Sequence, residues 1–202
     1  MTILQVDQLT KKIKGMPIIQ DVSFKLDEGQ IVGLVGANGA GKTTLMKVIL
    51  GLSNYQDGSY KVRANTNNKS NTGALIESPG VYPFLTGYDN LKLLCESKEK
   101  NAIDDIVKKL KMDRYIHKKA KTYSLGMKQK LGIAIAFLNH PQLIVLDEPM
   151  NGLDPKAVRD VRELIVETAK QGTTFLISSH ILSELVKITD SILIIDEGKI
   201  IK

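Results

Sequence analysis

The stretch Gly36-Ala37-Asn38-Gly39-Ala40-Gly41-Lys42-Thr43 restricts the fold of this chain more than any other feature. An apolar run, Gln30-Ile31-Val32-Gly33-Leu34-Val35, precedes it and reads as a buried strand; a helix-prone run, Thr44–Leu50, follows it. A glycine-rich turn in that context lets the backbone fold tightly enough for successive N–H groups to face phosphate oxygens. The helix adds the positive end of its dipole. Lys42 is expected to reach the β- and γ-phosphates, and the Thr43 hydroxyl to hold Mg²⁺. The chain is therefore expected to bind a nucleotide.

With 202 residues there is enough chain for one large α/β domain with a core of its own. Hydrophobic content of 43% and charged content of 25% are ordinary for a soluble globular protein. No window approaches the ~18 uninterrupted apolar residues of a membrane span, and the N-terminus has no signal-peptide core. The single cysteine, Cys95, cannot make an internal disulfide, which fits a reducing cytosol. Its neighbours Leu91, Leu93 and Leu94 lead us to expect a buried, inert thiol. The net charge is +6, with lysines clustered in Lys98–Lys121. That run suits an anionic surface or a solvated helical face; no aromatics interleave it, so nucleic acid is not expected as a partner.

Short β-type runs, Ile3–Val6 and Ile18–Leu26, open the chain, broken by Gly15, Pro17 and the Asp27-Glu28-Gly29 turn. A polar stretch containing Asp57-Gly58 and Asn65–Asn71, then the apolar Ala74-Leu75-Ile76, follow the phosphate loop. Leu91, Leu94, Ile103, Ile106, Val107 and Leu110 recur at helical spacing. Leu143-Ile144-Val145-Leu146 reads as a buried parallel strand, as do Thr174–Ile177 and Ile192–Ile195. Between them Pro155–Lys170 is amphipathic, with Asp154 a good helix start. The order is antiparallel β, then a nucleotide-binding α/β core interrupted by a helical insert.

Asp147 and Glu148 end a buried strand, where ligands of open α/β sheets bind. Asp147 is placed to hold Mg²⁺ and Glu148 to orient or deprotonate an attacking water. His180, just past another buried strand, is placed for a γ-phosphate contact. His117 and His140 have no such context. Ser124 and Gly126, at the start of a helix running to about Leu138, read as an N-cap or as an anion-binding helix start.

With these pieces in order the chain resembles the ATP-binding cassette family over essentially all of its 202 residues. Gly36–Thr44, hence Gly36, Asn38, Gly39, Ala40, Gly41, Lys42, Thr43 and Thr44, looks like the Walker A loop. Leu143–Glu148 looks like Walker B, Ser124–Lys130 like the family signature, Asn151-Gly152-Leu153-Asp154 like the D-loop and His180 like the switch histidine. The resemblance implies a single domain over 1–202, with a RecA-like P-loop core, an N-terminal antiparallel β subdomain and a helical subdomain at about 82–138. It also implies a head-to-tail pair with a second cassette subunit, each ATP lying between one subunit's Walker loops and the other's Ser124 and Gly126. Asp154 would report across that interface. Such subunits sit at the cytoplasmic face of the membrane and drive a separate permease.

Three positions depart from the family pattern. Leu125 and Met127 stand where the signature usually has a glycine and a glutamine. Glu77 stands where most members carry a glutamine that senses Mg²⁺; a carboxylate binds the metal but cannot donate, and adds negative charge near the γ-phosphate. Ile13 stands where an aromatic usually stacks on adenine, so weaker discrimination among nucleoside triphosphates is expected. Glu77 with the Ser-Leu-Gly-Met-Lys-Gln signature resembles the ATPase subunits of bacterial exporters for bacitracin and lantibiotic-type peptides, which confer resistance or self-immunity. Such subunits often continue past the Asp196-Glu197-Gly198 turn near which this sequence stops, which leaves both a trimmed and a short form open. Competing readings are a soluble cassette acting on ribosomes or DNA, and an ATP-sensing module without turnover. One cassette, only about 100 residues between Lys42 and Asp147, and no sustained heptads argue against the first. The presence of Lys42, Asp147, Glu148 and His180 argues against the second.

Overall fold

The computed structural model describes residues 1–63, 72–96 and 101–201. The polar stretch Asn65–Asn71 lies outside these, as do Lys98 and Lys100 of the lysine cluster. The chain opens with β1 (Thr2–Ile13) and β2 (Met16–Asp27), which pair antiparallel through a two-residue turn at Lys14-Gly15. Both turn residues have positive φ, 50° and 82°, the twist that matches a right-handed hairpin. Pro17, expected to interrupt the strand, sits one residue inside its start, where a missing N–H costs little. β4 (Asp57–Val62) completes this three-stranded sheet on the free edge of β1.

The second sheet has six strands in the order β5-β6-β7-β3-β8-β9. Here β3 is Ile31–Val35, β5 Thr72–Leu75, β6 Leu143–Leu146, β7 Thr174–Ser179, β8 Ser191–Asp196 and β9 Lys199–Ile200. The first five in that order run parallel, and β9 folds back antiparallel on β8. Every residue of β6 and β7 is buried, which explains why these strands read as unbroken apolar runs instead of alternating ones. One side of the sheet packs on α1 (Lys42–Ile49) and the inner face of the β1-β2-β4 sheet through Leu4, Leu9, Val22, Leu45 and Met46. The other packs on α4 (Leu125–Phe137) and α5 (Pro155–Lys170) through Leu131, Ile133, Val161, Leu164 and Phe175.

The expected helical stretch after β5 resolves into α2 (Gly87–Leu94) and α3 (Ala102–Lys109). Thr86 caps α2, accepting from Asp89 N–H at 3.0 Å. Leu91, Ile106, Val107, Leu110, Met112 and Ile116 join the core around α4. Cys95 is half-buried against that cluster, not enclosed as expected. A short helix that the periodicity gave no hint of, α6 (Leu182–Leu185), follows β7. No helix among the described residues is long and apolar enough to cross a membrane.

Candidate active site

The phosphate loop wraps a cavity of about 200 Å³ lined by Ile18, Ala37, Asn38, Gly39, Gly41, Lys42, Thr43, Thr44, Asp147 and Glu148. Its floor is the start of α1. Gly41, the N-cap, has φ 107°, accessible only to glycine at low cost, and makes no side-chain cap; no acidic residue occupies the first turn. The first N–H groups of α1 are thus left for an external anion, with the helix dipole behind them. Gly39 at φ 85° has open space where a side chain would stand. Gly36 and Ala40 do not line the cavity but fix the loop. Gly36 packs on the Ile195 carbonyl so closely that a Cβ would collide with it, and the Ala40 carbonyl accepts from Gly198 N–H at 3.0 Å. Gly198, at the turn between β8 and β9, is a support that motif reading did not find.

Lys42 is buried and curls over its own loop. Its Nζ donates to the carbonyls of Gly36 at 2.6 Å and Ala37 at 3.2 Å, with Glu148 Oε1 at 3.9 Å. An ammonium buried this way is held by dipoles that a phosphate would outcompete, because charge-assisted bonds to an anion are stronger. Thr43 Oγ1 donates to Asp147 Oδ2 at 2.7 Å. Strand β6 therefore delivers Asp147 to the head of α1. The other Asp147 oxygen accepts from Ser178 Oγ at 2.5 Å, and the same Oγ accepts from Glu148 N–H at 2.9 Å. Ser178, fully buried at the end of β7, thus orients both carboxylate residues; its sequence signal was only its place before His180.

Glu148 has φ 48°, a left-handed conformation unusual for a residue with a side chain. It is held there by Ser178 and by Gln129, whose Nε2 donates to the carbonyls of Glu148 at 3.4 Å and Pro149 at 3.2 Å. His180 Nδ1 lies 2.9 Å from Glu148 Oε2. Since an ionised carboxylate only accepts, the imidazole donates through Nδ1–H. The histidine expected at a phosphate therefore also fixes the carboxylate next to it.

Other expected residues lie elsewhere. Ile13 pairs with Met16 at the hairpin turn, is 43% exposed and does not line the cavity; Ile18, five residues on, does. Glu77 is bound to Lys47 Nζ at 2.7 Å instead of meeting Thr43 or Asp147. Ser124 caps α4, accepting from Met127 N–H at 3.3 Å, and with Gly126 lies outside the cavity. A Cβ on Gly126 would stand 2.9 Å from the Gly152 carbonyl, so the signature helix start and the turn before Asp154 are pressed together. Asp154 accepts from Lys156 and Ala157 N–H, both at 2.9 Å, and these bonds hold its carboxyl below the ordinary value. Leu125, beside that junction, is 67% exposed.

The donor set suits ATP with Mg²⁺. Free helix-start N–H groups and a buried lysine answer the phosphates, and one hydroxyl with one carboxylate answers a cation that takes few protein ligands and shares the phosphates. Among the described residues no cluster of three or more His, Cys, Asp or Glu forms a metal cage of its own. A larger cleft of about 610 Å³, between α3 and the far ends of β6 and β7, holds none of the expected site residues.

Comparison with known proteins agrees with this geometry. The ABC transporter family model matches residues 19–151. The bacitracin transport ATP-binding protein BcrA of Enterococcus faecalis is 37% identical over 99% of this chain and 68% of its own length. The lantibiotic transport ATP-binding protein SrtF of Streptococcus pyogenes is 38% identical over 98% of this chain and 89% of its own. A solved ATP-binding subunit of an ABC transporter superposes with a TM-score of 0.90 at 30% identity, covering 98% of this chain and 88% of that one. The chain belongs to the ABC transporter family, as one of its ATP-binding subunits.

Proposed function

We propose that this chain hydrolyses Mg-ATP to power a separate membrane permease that exports an antimicrobial peptide of the bacitracin or lantibiotic type. The observation that carries the enzymatic part is the linked set Thr43–Asp147–Ser178–Glu148–His180 at the mouth of the phosphate loop. Asn38, Gly39, Gly41 and Thr44 line the triphosphate site, and Lys42 leaves the Gly36 and Ala37 carbonyls for the phosphates. Thr43 and Asp147 would hold Mg²⁺, which supplies charge neutralisation along the phosphates when bound. Glu148 takes a proton from water as its oxygen bonds to the γ-phosphorus and the bond to the β-phosphate oxygen breaks. His180 keeps the Glu148 carboxylate oriented for that transfer.

The relatives BcrA and SrtF support the cargo class. Ser124 and Gly126, outside their own cavity at a helix start, suit a phosphate held by a second cassette subunit. The chain would then work as a dimer docked on the permease at the inner face of the membrane. The test is steady-state hydrolysis: Glu148→Gln removes the base and keeps the shape, and is expected to lower kcat by about 10²–10⁴-fold with nucleotide binding retained. Unchanged turnover in that variant would remove Glu148 from the role.

A further inference from the structure

Glu77 occupies a strained position beside the site. It follows β5, whose Leu75 carbonyl accepts from Asp147 N–H at 2.8 Å. Its φ is 59°, and Ser78 N–H closes back onto the Ile76 carbonyl at 2.8 Å. Glu77 is thus the apex of a γ-turn of positive φ, a rare geometry for any residue bearing a side chain. Such strain persists only where the surroundings enforce it. The Glu77 side chain is met from α1, where Lys47 Nζ donates to Glu77 Oε1 at 2.7 Å. Lys47 lies one helical turn beyond Thr43, on the same face. A closed circuit results, from Thr43 to Asp147, from Asp147 to Leu75, along the chain to Glu77, and through Lys47 back to α1.

As a surface ion pair, with side chains 34% and 63% exposed, this contact adds little to the stability of the fold. Its place in the circuit gives it another use. Resting on the nucleotide reading above, we propose that Lys47 is a positioning residue that holds and neutralises the Glu77 carboxylate beside the phosphate and metal site. An unpaired carboxylate two residues past the bond between Leu75 and Asp147 would repel the triphosphate. Paired with Lys47, it leaves the local field near neutral before any metal arrives.

The test is the Kd of a fluorescent ATP analogue, measured with Mg²⁺ and with EDTA, for the parent, Lys47→Met, Lys47→Arg, Glu77→Gln and the Lys47→Met/Glu77→Gln pair. Thermal melting of each variant checks the fold. Lys47→Met is expected to weaken metal-free binding by roughly five- to tenfold and Mg²⁺-supported binding less, since the metal takes over the screening. Glu77→Gln should restore binding in the Lys47→Met background and change little in the parent, and Lys47→Arg should keep the parent behaviour. A double variant as weak as Lys47→Met alone would overturn the proposal, because Lys47 would then act without Glu77. Equal losses with and without Mg²⁺ would overturn it too. No binding by the parent in either condition would instead overturn the nucleotide reading itself.

Discussion

Ser178 shows how one small side chain can set a site. Its hydroxyl donates to Asp147 at 2.5 Å and accepts from Glu148 N–H at 2.9 Å, inside a fully buried strand end. Replacing it by alanine leaves both groups short of a partner in a dry environment, where an unmet hydrogen bond costs ~1–3 kcal/mol. Ser178→Ala is expected to cut ATP turnover by about 10–100-fold, the usual loss when a residue orienting a metal ligand is removed. A titration of rate against Mg²⁺ checks the cause, since the half-saturating concentration should rise as well. His180→Ala would release Glu148 Oε2 and should depress kcat with little change in the Mg²⁺ requirement, so the two variants separate metal orientation from base orientation.

Between elements, the closest packing joins α4 to β5 and to the turn leading into α5. Gly73 in β5 lies so near the Ala136 carbonyl of α4 that a Cβ would overlap it, and a Cβ on Gly132 of α4 would stand only 2.8–3.0 Å from Pro79 and Leu75. Gly73→Ala forces helix and strand apart and is expected to destabilise the chain by about 1–3 kcal/mol, read as a drop of ~2–4 °C per kcal/mol in the thermal midpoint. Since Asp147 N–H is bonded to β5, the shift should weaken nucleotide binding too. The start of α5 carries a pH-dependent contribution. Asp154 accepts from Ala157 and Lys156 N–H, which hold its carboxyl below its ordinary 3.8. A depressed carboxyl contributes stability above the unfolded value and loses it as pH falls through the folded one. Asp154→Ala should therefore lower the melting temperature at pH 7 more than in acid below the unfolded value of 3.8.

At the scale of the whole molecule, the proposed dimer would make this site half of a larger one. The phosphate cavity and the Ser124–Gly126 helix start lie on the same chain without meeting, which suits the proposal that the latter meets a partner's nucleotide. Leu125, 67% exposed at that helix start, widens the apolar part of this surface. A Glu148→Gln variant, able to bind but not to turn over ATP, is expected to be monomeric alone and dimeric with Mg-ATP by light scattering. A persistent monomer would mean that the permease must supply the missing contact.

The local features were legible in the residues themselves. A phosphate loop, a caps-and-amphipathicity helix at Pro155–Lys170, and buried strands at Leu143–Leu146 and Thr174–Ile177 depend on neighbours within a few positions, and their chemistry is written in the spacing. The resemblance carried the roles expected of Ser124 and Asp154 across an interface, which spacing alone could not give. What only the tertiary structure decided is which distant groups meet: Ser178 with Asp147 across 31 positions, Lys47 with Glu77 across 30, Ile18 at the phosphate cavity, and Gly198 on the phosphate loop. These contacts arise where strand ends and a helix converge in a parallel sheet. A parallel ladder fixes that register through long crossovers, and no local pattern records them.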